Sequence, residues 1–222
     1  MHLKKMKTLL CSSFLLFGVT VHTASAQNDD KGTICHLKKI LGPYPAKGSV
    51  EEAQDFATLF EYQQSRTPEQ CAAAGKEVKV SLENFFGGKT GLLTESEVKR
   101  LKPFFLRYFI KAGINSTIGK FIFKRPRPYI SNPDIVPCIP LASSYAYPSG
   151  HTTVARVLAY ALAKKFPERA QDFMRRADEI ARNRILGGVH HPSDIVAGKK
   201  LGDELTHRLF LSENFLKELI QI

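Results

Sequence analysis

Helix-start signals recur along this chain and constrain its fold more than any other feature of the sequence. At Ser49, Thr67 and Thr94 a hydroxyl residue is followed three positions later by Glu or Gln. In that pattern the side chains satisfy the free amides of a helix's first turn. Apolar residues then recur at three- and four-residue intervals, and no run alternates with the period of two typical of a half-buried strand. The sequence therefore predicts an all-α fold, a single-domain helical bundle.

Four further helices are predicted in the second half of the chain, at about 104–123, 150–166, 168–186 and 194–211. The stretch from Lys124 to Tyr147 contains five prolines and is predicted to be a loop. A loop of this length in a compact domain is usually functional or disordered, so we expect residues 129–147 to form part of a pocket rim. Glycines and prolines between Gln27 and Ala46 predict an irregular segment there.

The first 26 residues are typical of a secretory signal peptide. Three lysines precede an apolar stretch from about residue 8 to residue 21, and Ala24-Ser25-Ala26 resembles a cleavage site. The stretch is shorter than the ~20 apolar residues that a membrane span needs, so we expect no integral membrane segment after the signal is removed. This predicts a periplasmic or secreted protein with one mature domain, residues 27–222.

The net charge limits the kinds of binding partner that are expected, and the cysteine content bears on the cellular compartment. The net charge is +11, and removing a signal with three lysines and no acid leaves +8. Such a charge favours an anionic partner, namely a phosphate compound, a membrane surface or nucleic acid. Three cysteines remain, at Cys35, Cys71 and Cys138. An exported protein permits one disulfide among them, but the sequence leaves the pairing open.

One predicted helix carries a charge on its apolar side. Its inward stripe contains Phe173, Ala177 and Ile180, and the next position on that stripe is Arg184. An inward guanidinium needs an anionic partner, either a bound ligand or a buried carboxylate, unless the side chain reaches solvent at the helix end.

A second group of cations lies just before the proline-rich loop. Lys120 shares a helix face with small residues suited to close helix contact, and Arg127 follows seven residues later. Either both cations point inward, or they belong to a solvated basic run that includes Lys124 and Arg125.

A histidine and an aspartate lie close together at the start of the last long helix. Ser193 is predicted to cap this helix, which places Asp194 in its first turn, where the helix dipole favours a carboxylate. A sharper interpretation is that Asp194 accepts a hydrogen bond from one nitrogen of His190. The other nitrogen would then be a free lone pair, as a nucleophilic or general-base histidine requires.

The helix predicted at 150–166 opens with Ser149, Gly150 and His151. Free amides at a helix start bind anions, glycine allows close approach, and a serine adds a hydroxyl donor. The alternative is a capping serine beside an incidental histidine. Taken with the inward cations and His190, the set predicts a site for a phosphoryl group, with one imidazole to attack and one to donate a proton.

These residues fall into an ordered signature: Lys120-x6-Arg127-Pro128, then Pro148-Ser149-Gly150-His151, then Arg184-x5-His190-x3-Asp194. The signature resembles that of the type 2 phosphatidic-acid phosphatase superfamily, and in particular the class A bacterial non-specific acid phosphatases. The likeness covers roughly residues 104–211. It implies an all-α bundle of the acid phosphatase/vanadium haloperoxidase type, with the site at the ends of the central helices.

The resemblance also implies an activity and a role for each residue. The expected enzyme is a metal-independent acid phosphatase that hydrolyses phosphate monoesters through a phosphohistidine, with no cofactor. His190 corresponds to the nucleophile, Asp194 orients it, and His151 is the general acid that later activates water. The phosphate cradle corresponds to Lys120, Arg127, Ser149, Gly150 and Arg184.

The chain departs from the family pattern at Asn183, at His191 and in residues 185–187, which lack a cysteine found in some relatives. Because of these departures, the resemblance does not determine which leaving group is preferred, which cysteines pair, or how His191 affects the protonation of His190. Alternative functions are a vanadium-haloperoxidase-like enzyme, a lipid-phosphate or pyrophosphate phosphatase, and a basic binding module. The expected partner is a small phosphate ester and not nucleic acid, because the basic run from Lys120 to Arg127 lacks the pattern of exposed aromatics expected of a nucleic-acid platform. Homo-oligomers are known among soluble relatives.

Overall fold

The structure, a computed structural model, describes residues 33–222. The predicted signal peptide lies outside the described residues. Within them every regular element is helical, which confirms the all-α prediction. The ten α-helices are α1 (33–41), α2 (Val50–Ser65), α3 (Pro68–Lys76), α4 (Leu82–Phe86), α5 (Glu95–Phe123), α6 (Pro128–Ser131), α7 (Gly150–Lys165), α8 (Ala170–Leu186), α9 (Pro192–Phe210) and α10 (Glu213–Gln221). None of these described helices has the length and apolar character required to span a membrane.

Helix starts agree with the capping signals, although three local predictions are wrong. Thr67 and Thr94 each form a full capping box, and the Ser49 hydroxyl accepts from the Glu52 amide. The Thr94 box starts α5 well before residue 104, and the helix continues through an exposed proline at position 103. The segment 27–46 is not irregular throughout, since it contains α1.

The third wrong prediction concerns the start of α9. His191, not Ser193, is the N-cap, because its backbone is extended and its amide donates to the Asp194 carboxylate at 2.9 Å. Asp194 is therefore the third residue of the helix, where its carboxylate points back to the cap. The prediction that α7 begins after Ser149 is confirmed, and the Ser149 hydroxyl accepts from the Thr152 amide.

Helix α7 is central and packs against α5, α8 and α9. Two glycines allow the close packing around its start. A Cβ on Gly198 of α9 would lie 2.7 Å from the Ser149 carbonyl oxygen, and a Cβ on Gly119 of α5 would lie 2.8 Å from Pro148. Neither neighbour could yield cheaply, so both positions require glycine. These contacts hold the residues 148–151 between α5 and α9.

A disulfide joins Cys71 in α3 to Cys138 in the proline-rich loop, across 67 residues of sequence, and Cys35 is free and exposed. The bond fixes the loop to the N-terminal half of the chain. Residues 34–222 form one compact unit.

Candidate active site

The N-termini of α7 and α9 meet at the centre of the site. The Ser149 amide donates to the Asp194 carbonyl oxygen at 3.0 Å. The peptide amides of His190 and Val189 both donate to the Arg184 carbonyl oxygen, each at 3.2 Å. The second and third blocks of the signature are therefore joined through the backbone as well as through side chains.

His190 is buried and its ring is held at both nitrogens. Nδ1 lies 3.1 Å from Asp194 Oδ2, and Nε2 lies 2.9 Å from Arg127 Nη1. Because a guanidinium can only donate, Nε2 is the acceptor and the proton of a neutral ring is on Nδ1. Burial, together with the charge of Arg127, holds the pKa of His190 well below its ordinary value. The result is a neutral imidazole whose lone pair on Nε2 faces a cation.

Asp194 is surrounded by donors. Its Oδ2 accepts from the His191 amide at 2.9 Å and from Nδ1 of His190 and His191, and its Oδ1 accepts from Arg125 at 2.7 Å. Burial raises the pKa of this carboxyl, but the hydrogen bonds from the two histidines outweigh it and hold the pKa well below its ordinary value. Asp194 is thus a carboxylate that fixes the tautomer of His190.

Behind Asp194 stand two residues that the sequence interpretation missed. Arg125, only 2% exposed, bridges Asp194 and Asp55, with its Nη2 2.8 Å from Asp55 Oδ2. Asp55 also accepts the Ser193 amide at 2.9 Å. Arg125 is therefore not part of a solvated run. An available signal was the spacing of Asp55 four residues before Leu59, both on the buried face of α2.

Lys120 and Arg127 both point inward, so they do not belong to a solvated basic run. The Lys120 ammonium donates to the carbonyl oxygens of Tyr145 and Ala146 at 2.6 and 3.1 Å. Burial, with a contribution from Arg127, lowers the pKa of Lys120 to about 7. Arg127 donates to Ser144 and to the Val189 carbonyl oxygen, as well as to His190.

A cleft of about 690 Å³ leads to these two cations. It is lined by Thr117, Lys120, Phe121, Pro126, Arg127, Tyr129, Ile130 and residues 141–145. The loop predicted as a rim thus contributes to the cleft wall. Tyr147 does not contribute, because it is 3% exposed and its hydroxyl donates to the Leu41 carbonyl oxygen at 2.7 Å.

Arg184 is 1% exposed and has a buried carboxylate partner. Its Nη2 lies 2.9 Å from Glu77 Oε2, and Glu77 Oε1 accepts from Asn183 at 2.9 Å. Glu77 was also missed by sequence reasoning, and the departure at Asn183 serves to hold it. Arg184 Nε is buried without a hydrogen-bond partner in the described part of the chain.

His151 lies beside this arginine and is held by backbone oxygens. Its Nε2 lies 3.1 Å from the Glu77 carbonyl oxygen and 3.2 Å from that of Val78, so Nε2 carries the proton of a neutral ring. Burial, and then the charge of Arg184, lower the pKa of His151 to about 3. In the unliganded structure His151 is therefore neutral.

Ser149 and Gly150 complete the arrangement. The Ser149 oxygen accepts from the Thr152 hydroxyl at 2.9 Å, which leaves the serine proton free to donate to another group. A Cβ on Gly150 would lie 3.9 Å from Lys120 Cε, so the first turn of α7 lies against this lysine. Within residues 33–222 there is no cluster of three or more His, Cys, Asp or Glu side chains that could hold a metal ion.

Comparisons with known proteins agree with this arrangement. The family model of the PAP2 superfamily matches residues 102–205. A protein of Salmonella typhimurium named non-specific acid phosphatase is 38% identical over 82 residues, which is 37% of this chain and 33% of that protein. One of the same name from Providencia stuartii is 24% identical over 189 residues, 81% of this chain and 76% of that protein. A Rhizobium etli protein named lipid A 1-phosphatase is 34% identical over 61 residues, 28% of this chain and 26% of its own.

The match to the Salmonella protein thus spans about a third of that relative's length. The family match is longer and contains all ten signature residues, from Lys120 to Asp194. It agrees with the resemblance seen in the sequence. Residues 102–205 of this chain are similar to the PAP2 superfamily over just under half of the chain's length.

Proposed function

We propose that this protein is a metal-independent acid phosphatase that hydrolyses phosphate monoesters through a phosphohistidine. The observation that carries the proposal is the state of His190, a neutral ring whose Nδ1 proton is donated in a hydrogen bond to Asp194 and whose Nε2 lone pair lies beside Arg127. A nucleophilic imidazole needs this tautomer. The names of the Salmonella and Providencia relatives support the same activity.

In the first step the phosphoryl oxygens lie among Lys120, Arg127 and the free Nε of Arg184. Arg127 turns from His190 to the phosphate, and Nε2 of His190 attacks phosphorus. As the P–N bond forms, the P–O bond to the alcohol breaks, and His151 gives its proton to the leaving oxygen. His151 must be protonated for this step, and a bound phosphate dianion supplies the negative charge that raises its pKa.

In the second step His151 is neutral and takes a proton from water. The resulting hydroxide attacks phosphorus, the P–N bond breaks, and its electron pair returns to Nε2. The cationic side chains stabilise the negative charge that phosphoryl transfer develops, a task that metal ions perform in other phosphatases. The Ser149 hydroxyl and the Gly150 amide donate to the same oxygens.

The test is hydrolysis of p-nitrophenyl phosphate with EDTA between pH 4 and 8. We expect turnover by the wild type and none by His190→Ala. His207→Ala is the matched control, because His207 is an exposed histidine on α9, the helix that follows His190. A denaturing quench at alkaline pH after a short pulse should trap a phosphoenzyme in the wild type and in the control only, and mild acid should then release its phosphate. Loss of wild-type turnover on adding EDTA would contradict the proposal.

A second candidate is a lipid-phosphate phosphatase. It is favoured by the exposed apolar residues Phe121, Ile130 and Leu141 in the cleft and by the Rhizobium relative. The two candidate functions are distinguished by measuring the hydrolysis of a long-chain alkyl phosphate and of a short-chain one at equal concentration. A much higher kcat/KM for the long chain favours the second candidate.

We also propose that the protein acts outside the cytoplasm. The N-terminal pattern of residues 1–26 and the Cys71–Cys138 disulfide support export to an oxidising compartment. N-terminal sequencing of the protein from a fractionated cell should give a chain that starts near Gln27.

A further inference from the structure

Helix α5 carries apolar side chains on two opposite faces. One face is buried in the core. The other carries Leu106, Ile110, Ile114 and Phe121, spaced by four, four and seven residues and therefore on one side of the helix. These four side chains, the α5 stripe, are 50%, 47%, 52% and 65% exposed. Thr117, which is exposed on the same side, is a polar residue between Ile114 and Phe121. An exposed apolar face of this extent usually marks an interaction site.

The α5 stripe continues into the mouth of the cleft. The ring of Phe121 lies 6.4 Å from that of Tyr145 in an edge-on arrangement. Ile130 and Leu141, which also line the cleft, are 67% and 66% exposed. A single apolar surface thus runs from the middle of α5 to the entrance through which Lys120 and Arg127 are reached.

The α5 stripe is bordered by positive charge. Lys102, Arg107 and Lys111 each lie three or four residues from a stripe residue, which places them beside it on the helix surface. From residue 98 to residue 124 the chain contains no Asp or Glu. Arg107 pairs with Glu218 of α10 at 2.8 Å. Among the described residues Lys102 and Lys111 form no ion pair, so a partner for this surface is anionic.

We propose that the α5 stripe and the cleft mouth dock onto the surface of an anionic lipid bilayer. The stripe covers about 22 Å of a convex helix face, which suits a helix lying flat in the interface. The apolar side chains would enter the headgroup boundary while Lys102 and Lys111 contact lipid phosphates. In a symmetric contact between two copies, the basic borders of both would face each other, which disfavours a second copy as the occupant.

Docking would bring the cleft mouth to the lipid surface, so that phosphate esters held there reach Lys120 and Arg127 directly. This last step rests on the proposed function, whereas docking itself does not. The experiment below can therefore contradict docking without contradicting the proposed function, and the reverse.

The test is co-sedimentation of the protein with phosphatidylcholine vesicles, with and without phosphatidylglycerol. We expect binding to the anionic vesicles that weakens as salt is added. Ile110→Ser with Ile114→Ser should lower the partition onto them roughly 10- to 30-fold, since two apolar side chains lose their burial. Val50→Ser with Leu211→Ser is the matched control, because both residues are 71% exposed elsewhere on the surface, and it should bind like the wild type.

Hydrolysis of p-nitrophenyl phosphate, a soluble substrate, should be equal in all three proteins. No hydrolysis by any of them, with the vesicle result intact, would remove the proposed function and leave docking standing. Lys102→Glu with Lys111→Glu tests docking again without altering the stripe, and should abolish the preference for anionic vesicles. Docking is overturned if the wild type ignores anionic vesicles or if the stripe variant binds equally well. It is also overturned if sedimentation velocity shows a dimer that only the stripe variant dissociates.

Discussion

The two histidines of the site are supported in different ways. His190 rests on a side-chain carboxylate, Asp194, which is backed by Arg125 and Asp55. His151 rests on the carbonyl oxygens of residues 77 and 78, while the nearby Glu77 carboxylate pairs with Arg184. The His190 ring is buried, His151 is half-buried, and both rings are neutral. In the proposed mechanism, the side of the nucleophile His190 therefore holds its own counter-charge, whereas the leaving-group side at His151 depends on the charge of the substrate.

The largest expected effect is on the nucleophile side. In Asp194→Asn the amide can present an N–H to His190 Nδ1, which favours the wrong tautomer and removes the lone pair from Nε2. We expect kcat to fall about 10⁴-fold, as in other histidines that lose an orienting carboxylate. Steady-state kinetics on a variant with wild-type secondary structure by circular dichroism checks this. A fall of less than tenfold would show that Asp194 does not set the tautomer.

On the leaving-group side the matching substitution is Glu77→Gln. It leaves the buried guanidinium of Arg184 without a counter-charge while keeping an acceptor for Asn183. We expect the free energy of unfolding to fall by about 3 kcal/mol, as when one member of a buried ion pair is removed. Urea unfolding with and without inorganic phosphate measures it. Bound phosphate should restore most of the loss, because it supplies the missing negative charge next to Arg184; no phosphate effect would contradict the comparison.

The pH dependence of stability tests the support of His151. Its pKa is about 3 in the folded protein and ordinarily about 6.5, so the unfolded chain binds more protons between these values. The free energy of unfolding should therefore fall as the pH is lowered from about 7 towards 3. In His151→Asn the loss between pH 7 and pH 5 should be smaller by about 2 kcal/mol. Identical pH profiles of the two unliganded proteins would show that His151 is not held neutral.

A smaller effect is expected one layer behind the nucleophile. Asp55→Asn keeps an acceptor for the Ser193 amide but removes the charge that pairs with Arg125. Arg125 then orients Asp194 less firmly, and we expect kcat to fall roughly tenfold with little change in KM. Asp55→Glu should recover part of the loss. If a folded Asp55→Asn variant has the wild-type kcat, Asp194 orients His190 without help from Asp55.

The signature residues could be predicted from sequence because each block has fixed internal spacing on a helix or at a helix start. His190 and Asp194, for instance, need only the turn that joins α8 to α9. The supporting residues could not be predicted in the same way, because their contacts exist only in the folded chain. Arg125 lies 69 residues from its partner Asp194, and Glu77 lies 107 residues from Arg184. Asp55 is likewise distant in sequence from Arg125. Arg125 was further obscured by the adjacent exposed Lys124.

The same limit applies to the cap of α9. A serine one residue before an aspartate is a common cap, and only the folded geometry shows that His191 is the N-cap and that its amide donates to the Asp194 carboxylate. The disulfide likewise required the structure, because three cysteines allow three pairings and the chosen one joins α3 to the loop.

The hydrogen bond from Arg127 to His190 Nε2 has a consequence for which molecules the site can attack. While the arginine is in place, the lone pair of the nucleophile is occupied. A neutral electrophile, such as a carboxylic ester, offers the guanidinium nothing better and meets a masked histidine. In the proposed mechanism, only an anion that draws Arg127 away exposes Nε2 of His190. The resting protein should therefore not react with neutral electrophiles, and its nucleophile becomes available only when an anionic group binds.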